Sequence, residues 1–127
     1  IRGRSPSRGL GDVYKRQLLA QCAARGVEVI AGGVFNSGLL ATPVTGATFD
    51  YAAAPAELVV RAQRLQTVCE QFGVPLPAAA LQFVSRHPSV TRTLVGARSA
   101  AEIEADVAYA DLAIDPALWP ALEAAMA

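Results

Sequence analysis

Lysine occurs once in this chain of 127 residues, at Lys15, and histidine once, at His87. Cysteine occurs twice, at Cys22 and Cys69, with no C-x-x-C pair. That excludes a disulfide scaffold and a zinc ribbon, and it points to a reducing, cytoplasmic setting. A single histidine without a neighbouring Cys or Asp cluster is no metal site. No apolar run approaches the ~20 residues of a membrane span. The formal net charge is zero, which removes the electrostatic argument for nucleic acid or an anionic membrane as partner. There is no Walker loop and no G-x-G-x-x-G. Ser37 lies in no G-x-S-x-G elbow and has no acid or histidine partner in view, so it is not read as a nucleophile.

What is present is a chain with 53% apolar residues and 17% charged ones, able to bury one core and too short for two comfortable domains. Its composition breaks at residue 17. Residues 1–17 carry Arg2, Arg4, Arg8, Lys15 and Arg16 against Asp12, a net of +4, while the rest carries six arginines against ten acids, a net of −4. Ser7 to Gln17, SRGLGDVYKRQ, matches the in-frame translation of a transposon adapter used in DNA libraries. Residues 1–17 are therefore expected to be a sequencing-adapter translation rather than native protein, and residues 18–127 the protein proper, missing its upstream part.

From Leu18 the pattern alternates. Leu18 to Arg25 has helical composition, with Gly26 placed to end the helix. Val27 to Ile30 is a short β-branched run that reads as a buried strand. Val34 to Ala54 is loop-like, punctuated by Asn36, Gly38, Pro43, Gly46 and Asp50. Pro55 at the first helical position opens a helix in which Leu58, Ala62, Leu65, Cys69 and Phe72 share a face, closed by Gly73. A second helix runs from Ala78 to His87 and stops at Pro88. Thr91 to Val95 reads as another strand. Ser99 starts the next helix, with Glu102 completing a capping box, and a last helix covers Pro116 to Ala125. Strands alternating with helices imply an α/β fold with a parallel sheet. Two strands do not make such a sheet alone, so the chain reads as part of a larger one.

Two stretches carry chemistry. Thr93 to Asp106 runs from a strand through a tight turn to a helix start. Backbone amides and the helix dipole there make an anion site. Gly96 admits close backbone approach, and Arg98 offers charge-assisted hydrogen bonds to a phosphate. The plainer reading is an ordinary βα turn capped by Ser99. Gly32 to Gly38 likewise reads either as room for a ligand at the end of a strand or as a glycine-rich turn. Elsewhere the plainer readings prevail. His87 serves the end of its helix, Cys22 and Cys69 lie on buried helix faces, and Trp119 and Tyr109 pack the core. Glu102 and Asp106 are i,i+4 neighbours on one exposed helix face rather than a glycosidase carboxylate pair.

Val27 to Ala41, VEVIAGGVFNSGLLA, and Leu81 to Val107, LQFVSRHPSVTRTLVGARSAAEIEADV, together resemble the C-terminal part of aldo/keto reductases. The resemblance spans essentially Leu18 to Ala127 and is nearest to the branch of D-threo-aldose 1-dehydrogenases and pyridoxal 4-dehydrogenases. It implies a C-terminal fragment of a (β/α)8 TIM barrel, about strands seven and eight with their helices. It further implies an NAD(P)-dependent oxidoreductase acting on a small sugar or aldehyde. The loop after strand seven, with Gly33, Phe35, Ser37 and Gly38, would hold the cofactor pyrophosphate. The loop after strand eight, with Gly96, Ala97, Arg98 and Ser99, followed by Glu102 and Asp106, would hold the adenosine half.

The departures from the family pattern are informative. Gly32 stands where many members place an aromatic residue against the nicotinamide. Glu102 stands where NADP-specific members place an arginine facing the 2′-phosphate, so the resemblance leans to NAD. Asp106 replaces an adenine-binding asparagine. The family's catalytic Asp, Tyr, Lys and His belong to the first half of a barrel of roughly 250 residues, and this chain holds no catalytic group matching them. It is expected to be inactive alone. The alternative expectation is a non-enzymatic helix-rich interaction module.

Overall fold

The structure, a computed structural model, describes residues 17–35, 38–41, 48–49 and 52–126. It is an α/β arrangement. Helix α1 (17–24) leads to β1 (Val29–Ala31), followed by the short strands β2 (Thr48–Phe49) and β3 (Ala52–Ala53). Then come α2 (Ala56–Gln71), α3 (Leu76–Ser85), β4 (Val90–Thr93), α4 (Ala100–Asp111) and α5 (Leu118–Met126).

The two strands read from β-branched runs pair in parallel, Val29 opposite Val90 and Ala31 opposite Thr93, with a register shift after Val29. Each lies near its expected position with shifted ends, but β1, expected to be buried, is not, because among the described residues no further element covers Ile30. The Leu94 amide extends the ladder by donating to the Ala31 carbonyl at 2.7 Å. The β2–β3 ladder, Thr48 opposite Ala53 and Phe49 opposite Ala52, is antiparallel and falls where the sequence reads as loop. Two-residue strands carry no period from which to detect them.

Helix ends follow from local chemistry. Gly26 (φ +67°) and Gly73 (φ +68°) each sit just past the end of a helix. Val27 N–H reaches the Cys22 carbonyl at 2.8 Å, and Val74 N–H reaches the Cys69 carbonyl at 3.0 Å. Both are Schellman closures, which need the left-handed residue glycine tolerates best. Pro55 is the N-cap of α2 rather than its first helical residue. Helix α3 begins at Leu76, earlier than the expected Ala78, because Pro77 falls in its first turn, where a missing N–H costs nothing. It ends at Ser85, two residues before His87. Helix α5 starts at Leu118, with the Asp115 carboxylate accepting the Ala117 amide at 2.9 Å.

The main core lies where α2, α3 and α5 meet, around Cys69, Val74, Leu76, Ala78, Ala79, Leu118, Trp119 and Leu122. A smaller cluster joins Leu39 to Val59 and Ala62. Trp119 is buried, as expected, and carries Phe83 at 6.3 Å between ring centroids and the Arg86 guanidinium at 4.7 Å. Cys69 is fully buried, whereas Cys22 is only half-buried. Burial pushes the Cys69 thiol up to about 11, with the Glu70 carboxylate adding to the rise. His87 does not cap carbonyls; its Nδ1 accepts the Ser89 amide at 3.2 Å and meets the Ser89 hydroxyl at 2.7 Å, bracing the turn into β4.

The sheet is thinly covered. Ile30 is 62% exposed and Leu94 68% exposed, and α4 buries none of its residues. Parallel sheets are ordinarily covered on both faces, so these apolar side chains mark a surface of the kind that further structure covers.

Candidate functional site

β1 and β4 run side by side in the same direction, so the loops that follow them emerge at the same end of the sheet. The first contains Gly33 in a left-handed conformation (φ +68°), and the Gly38 and Leu40 amides further on both donate to the Phe35 carbonyl at 3.0 Å. The second runs through Gly96 to Ser99 and enters α4. Ser99 is the N-cap, its hydroxyl accepting the Glu102 amide at 3.2 Å. Glu102 reaches back one residue beyond the usual capping box, accepting the Arg98 amide at 2.6 Å. A carboxylate over the first turn also favours the positive end of the helix dipole.

Between the loops lies a groove of about 600 Å³. Gly33, Phe35 and Gly38 line it from the first loop, Gly96 and Arg98 from the second, and Glu102 and Asp106 from α4. Ala97 and Ser99 flank it on the second loop without lining it. Ser37 lies outside the described residues. Asp106 is half-buried, not fully solvated, and it also borders a smaller groove of about 350 Å³ between α3, β4 and α4. At Gly96 a built Cβ meets no protein atom within 4 Å, so the chain's own packing places no demand for glycine there.

The groove also takes in Pro77, Ala105 and Tyr109, which the sequence reading did not assign to a site. Ala105 and Tyr109 were accessible to it. With Glu102 and Asp106 they fall at i, i+3, i+4 and i+7 and share one helix face. Pro77 comes from a separate helix and has no local signal. Among the described residues no group of three or more His, Cys, Asp or Glu side chains could hold a metal, and no helix is long and apolar enough to cross a membrane.

Comparison with known proteins gives this groove a context. The sequence matches the aldo/keto reductase family over residues 10–127. The chain belongs to that family. It is 41% identical over 114 residues to a pyridoxal 4-dehydrogenase of Microbacterium luteolum, covering 89% of this chain and 33% of that protein. It is 37% identical over 108 residues to a D-threo-aldose 1-dehydrogenase of a Pseudomonas species, covering 84% of this chain and 33% of that protein. The chain thus spans about a third of the length of the curated aldo/keto reductases it matches. The family match begins at residue 10, inside the basic head, and takes in both strands of the parallel pair and both loops of the groove.

Proposed function

We propose that residues 18–127 form the C-terminal, cofactor-holding part of a cytoplasmic NAD(P)-dependent aldo/keto reductase. The observation that carries this reading is the convergence of the two loops, after β1 and after β4, on one groove. A dinucleotide fits the residues present. Gly96 leaves open space beside the groove, and Arg98 on the adenosine side supplies a cation for a phosphate. Gly33, Phe35 and Gly38 would hold the pyrophosphate side. Arg98, Glu102 and Asp106 would hold the adenosine side. A bound nicotinamide cofactor supplies hydride transfer; this chain's residues bind and orient it and carry no acid or base for the reaction.

The exposed Ile30 and Leu94 support a partial barrel, since the remaining strands and helices would cover them. Catalytic groups and the pocket for a sugar or aldehyde would come from the other two thirds of the parent. The chain alone turns over no substrate. The preference is for NAD over NADP, because the Glu102 carboxylate already sits over the first turn of α4 and repels a 2′-phosphate while accepting from a ribose hydroxyl.

Calorimetric titration of the full chain with NAD+ and NADP+ tests the reading. Saturable binding of NAD+, tighter than that of NADP+, is the expected result. Binding of neither overturns the cofactor assignment, and tighter NADP+ binding overturns the preference.

A further inference from the structure

Helix α4 ends differently from its neighbours. Helices α1 and α2 run into Gly26 and Gly73, whose left-handed backbone lets the chain satisfy its own last carbonyls. No glycine follows α4. Its C-cap is Leu112 in an extended conformation, and its last turn holds no basic residue. Its final residue, Asp111, has the sign that the C-terminal end of a helix dipole disfavours. The carbonyls left over at such an end need other donors, and here they come from another helix. The Gln82 side-chain amide of α3 donates to the Tyr109 carbonyl at 2.8 Å and to the Leu112 carbonyl at 2.7 Å. Otherwise α4 is lightly held. None of its residues is fully buried. Among the described residues Tyr109 is the one α4 side chain packed against the main core. A gap of about 350 Å³, bordered by Gln82, Thr93, Ile103 and Val107, lies between α3, β4 and α4. The chain enters α4 through Ala97, Arg98 and Ser99, all exposed, so no burial there resists a swing of the helix.

Resting on the cofactor reading above, we infer that Gln82 is a positioning residue for the groove. By clasping the C-terminal end of α4 to α3, it fixes where Glu102 and Asp106 stand relative to the loop after β1. Gln82 is not among the residues that line the groove, so it acts through α4 and touches no ligand. Without the clasp α4 spends part of its time displaced from α3. Apparent affinity then falls with the fraction of molecules still competent to bind.

The test pairs amide hydrogen exchange with calorimetric titration, both on the full chain. Gln82→Met keeps the length of the side chain and removes both donors. In this variant the α4 amides are expected to exchange about tenfold faster, the scale of two ordinary hydrogen bonds. Those of α2 and α5 keep their wild-type rates. NAD+ is expected to bind about three- to tenfold more weakly. Gln82→Lys, whose ammonium can donate to the same carbonyls and suits a helix C-terminus, restores both readouts. Unchanged α4 exchange or unchanged NAD+ affinity in Gln82→Met overturns the inference and leaves the cofactor reading standing. Equal acceleration across α2, α4 and α5 also overturns it, because Gln82 then serves the fold as a whole. Failure of Gln82→Lys to restore either readout overturns the requirement for a donor. If wild-type protein does not bind NAD+, the cofactor reading falls and this inference with it. One measurement requires no variant to fold. In wild-type protein the Gln82 side-chain amide protons should exchange more slowly than those of Gln71, which is exposed, and equal rates overturn the clasp.

Discussion

The Glu102 carboxylate accepts a hydrogen bond from the Arg98 backbone amide at 2.6 Å. Helix α4 thereby supplies its own anion at the position where helix N-termini ordinarily attract phosphate. The two residues line the same groove and have opposite charge. On the proposed cofactor reading, Arg98 would meet a phosphate common to both nicotinamide cofactors and Glu102 would oppose the extra phosphate that distinguishes them.

Glu102→Arg should therefore invert the cofactor preference. NADP+ is expected to bind more tightly and NAD+ more weakly, for a combined change of about 10- to 100-fold. That is the scale on which a charge repulsion is replaced by a charge-assisted hydrogen bond and a ribose hydrogen bond is given up. Calorimetric titration of the variant with both cofactors measures the ratio. An unchanged ratio means that Glu102 does not face the ribose.

Ser99→Ala should destabilise the protein by about 1 kcal/mol, the ordinary cost of losing an N-cap side chain. The Ser99 hydroxyl accepts the Glu102 amide at 3.2 Å, so its loss also loosens Glu102, to which the proposed cofactor preference is assigned. Urea denaturation followed by circular dichroism should show a lower midpoint with an unchanged slope. Ser99→Asp, another good N-cap, should recover most of the loss.

Much of the site was legible because its signals are local. A β-branched run followed by glycines placed Gly33 and Gly38 at a strand end. Leu-Val-Gly-Ala-Arg-Ser placed Arg98 and Glu102 at a helix start. What joins these two stretches is not local. The parallel pairing of Val29 with Val90 crosses about 60 residues; the alternation of strands and helices implies a parallel sheet, and the resemblance to a barrel family implies that these two strands are neighbours. Tyr109 packs against the main core, as its reading as a core residue implies. Apolar composition indicates that burial but not that Tyr109 also borders the groove, whose lining draws Pro77 from another helix. His87 illustrates a competing effect. Its place near a helix end suggested carbonyl capping, but the turn through Pro88 brings Ser89 to the ring instead.

Leu118 is fully buried where α2, α3 and α5 meet. Leu118→Ala should cost about 2–5 kcal/mol, since the deletion leaves a cavity that fixed helices fill poorly. Trp119, the only tryptophan in the chain, lies next to it, so intrinsic fluorescence reports the loss directly. The expected outcome is a red-shifted emission and a markedly lower denaturation midpoint. A midpoint within experimental error of the wild type would contradict a core centred on α5.

The two cysteines should differ in reactivity, and one of them should make stability depend on pH. In native protein at pH 8, iodoacetamide is expected to label Cys22, which is half-buried, and to spare Cys69, which is fully buried with its thiol pushed up to about 11. Denaturant should expose both to labelling. The raised value means the folded chain holds the Cys69 proton more tightly than the unfolded chain, whose thiol titrates near 9.0. Below about pH 9 both states are protonated and the contribution to stability is fully present. Between about pH 9 and 11 the unfolded state has released its proton and the folded state has not, so stability falls with rising pH. Cys69→Ala removes the titrating group and should flatten this part of the profile relative to the wild type, even though it lowers stability below about pH 9 by shortening a buried side chain. Parallel wild-type and variant profiles from pH 8.5 to 11 would show that the Cys69 thiol does not govern that loss.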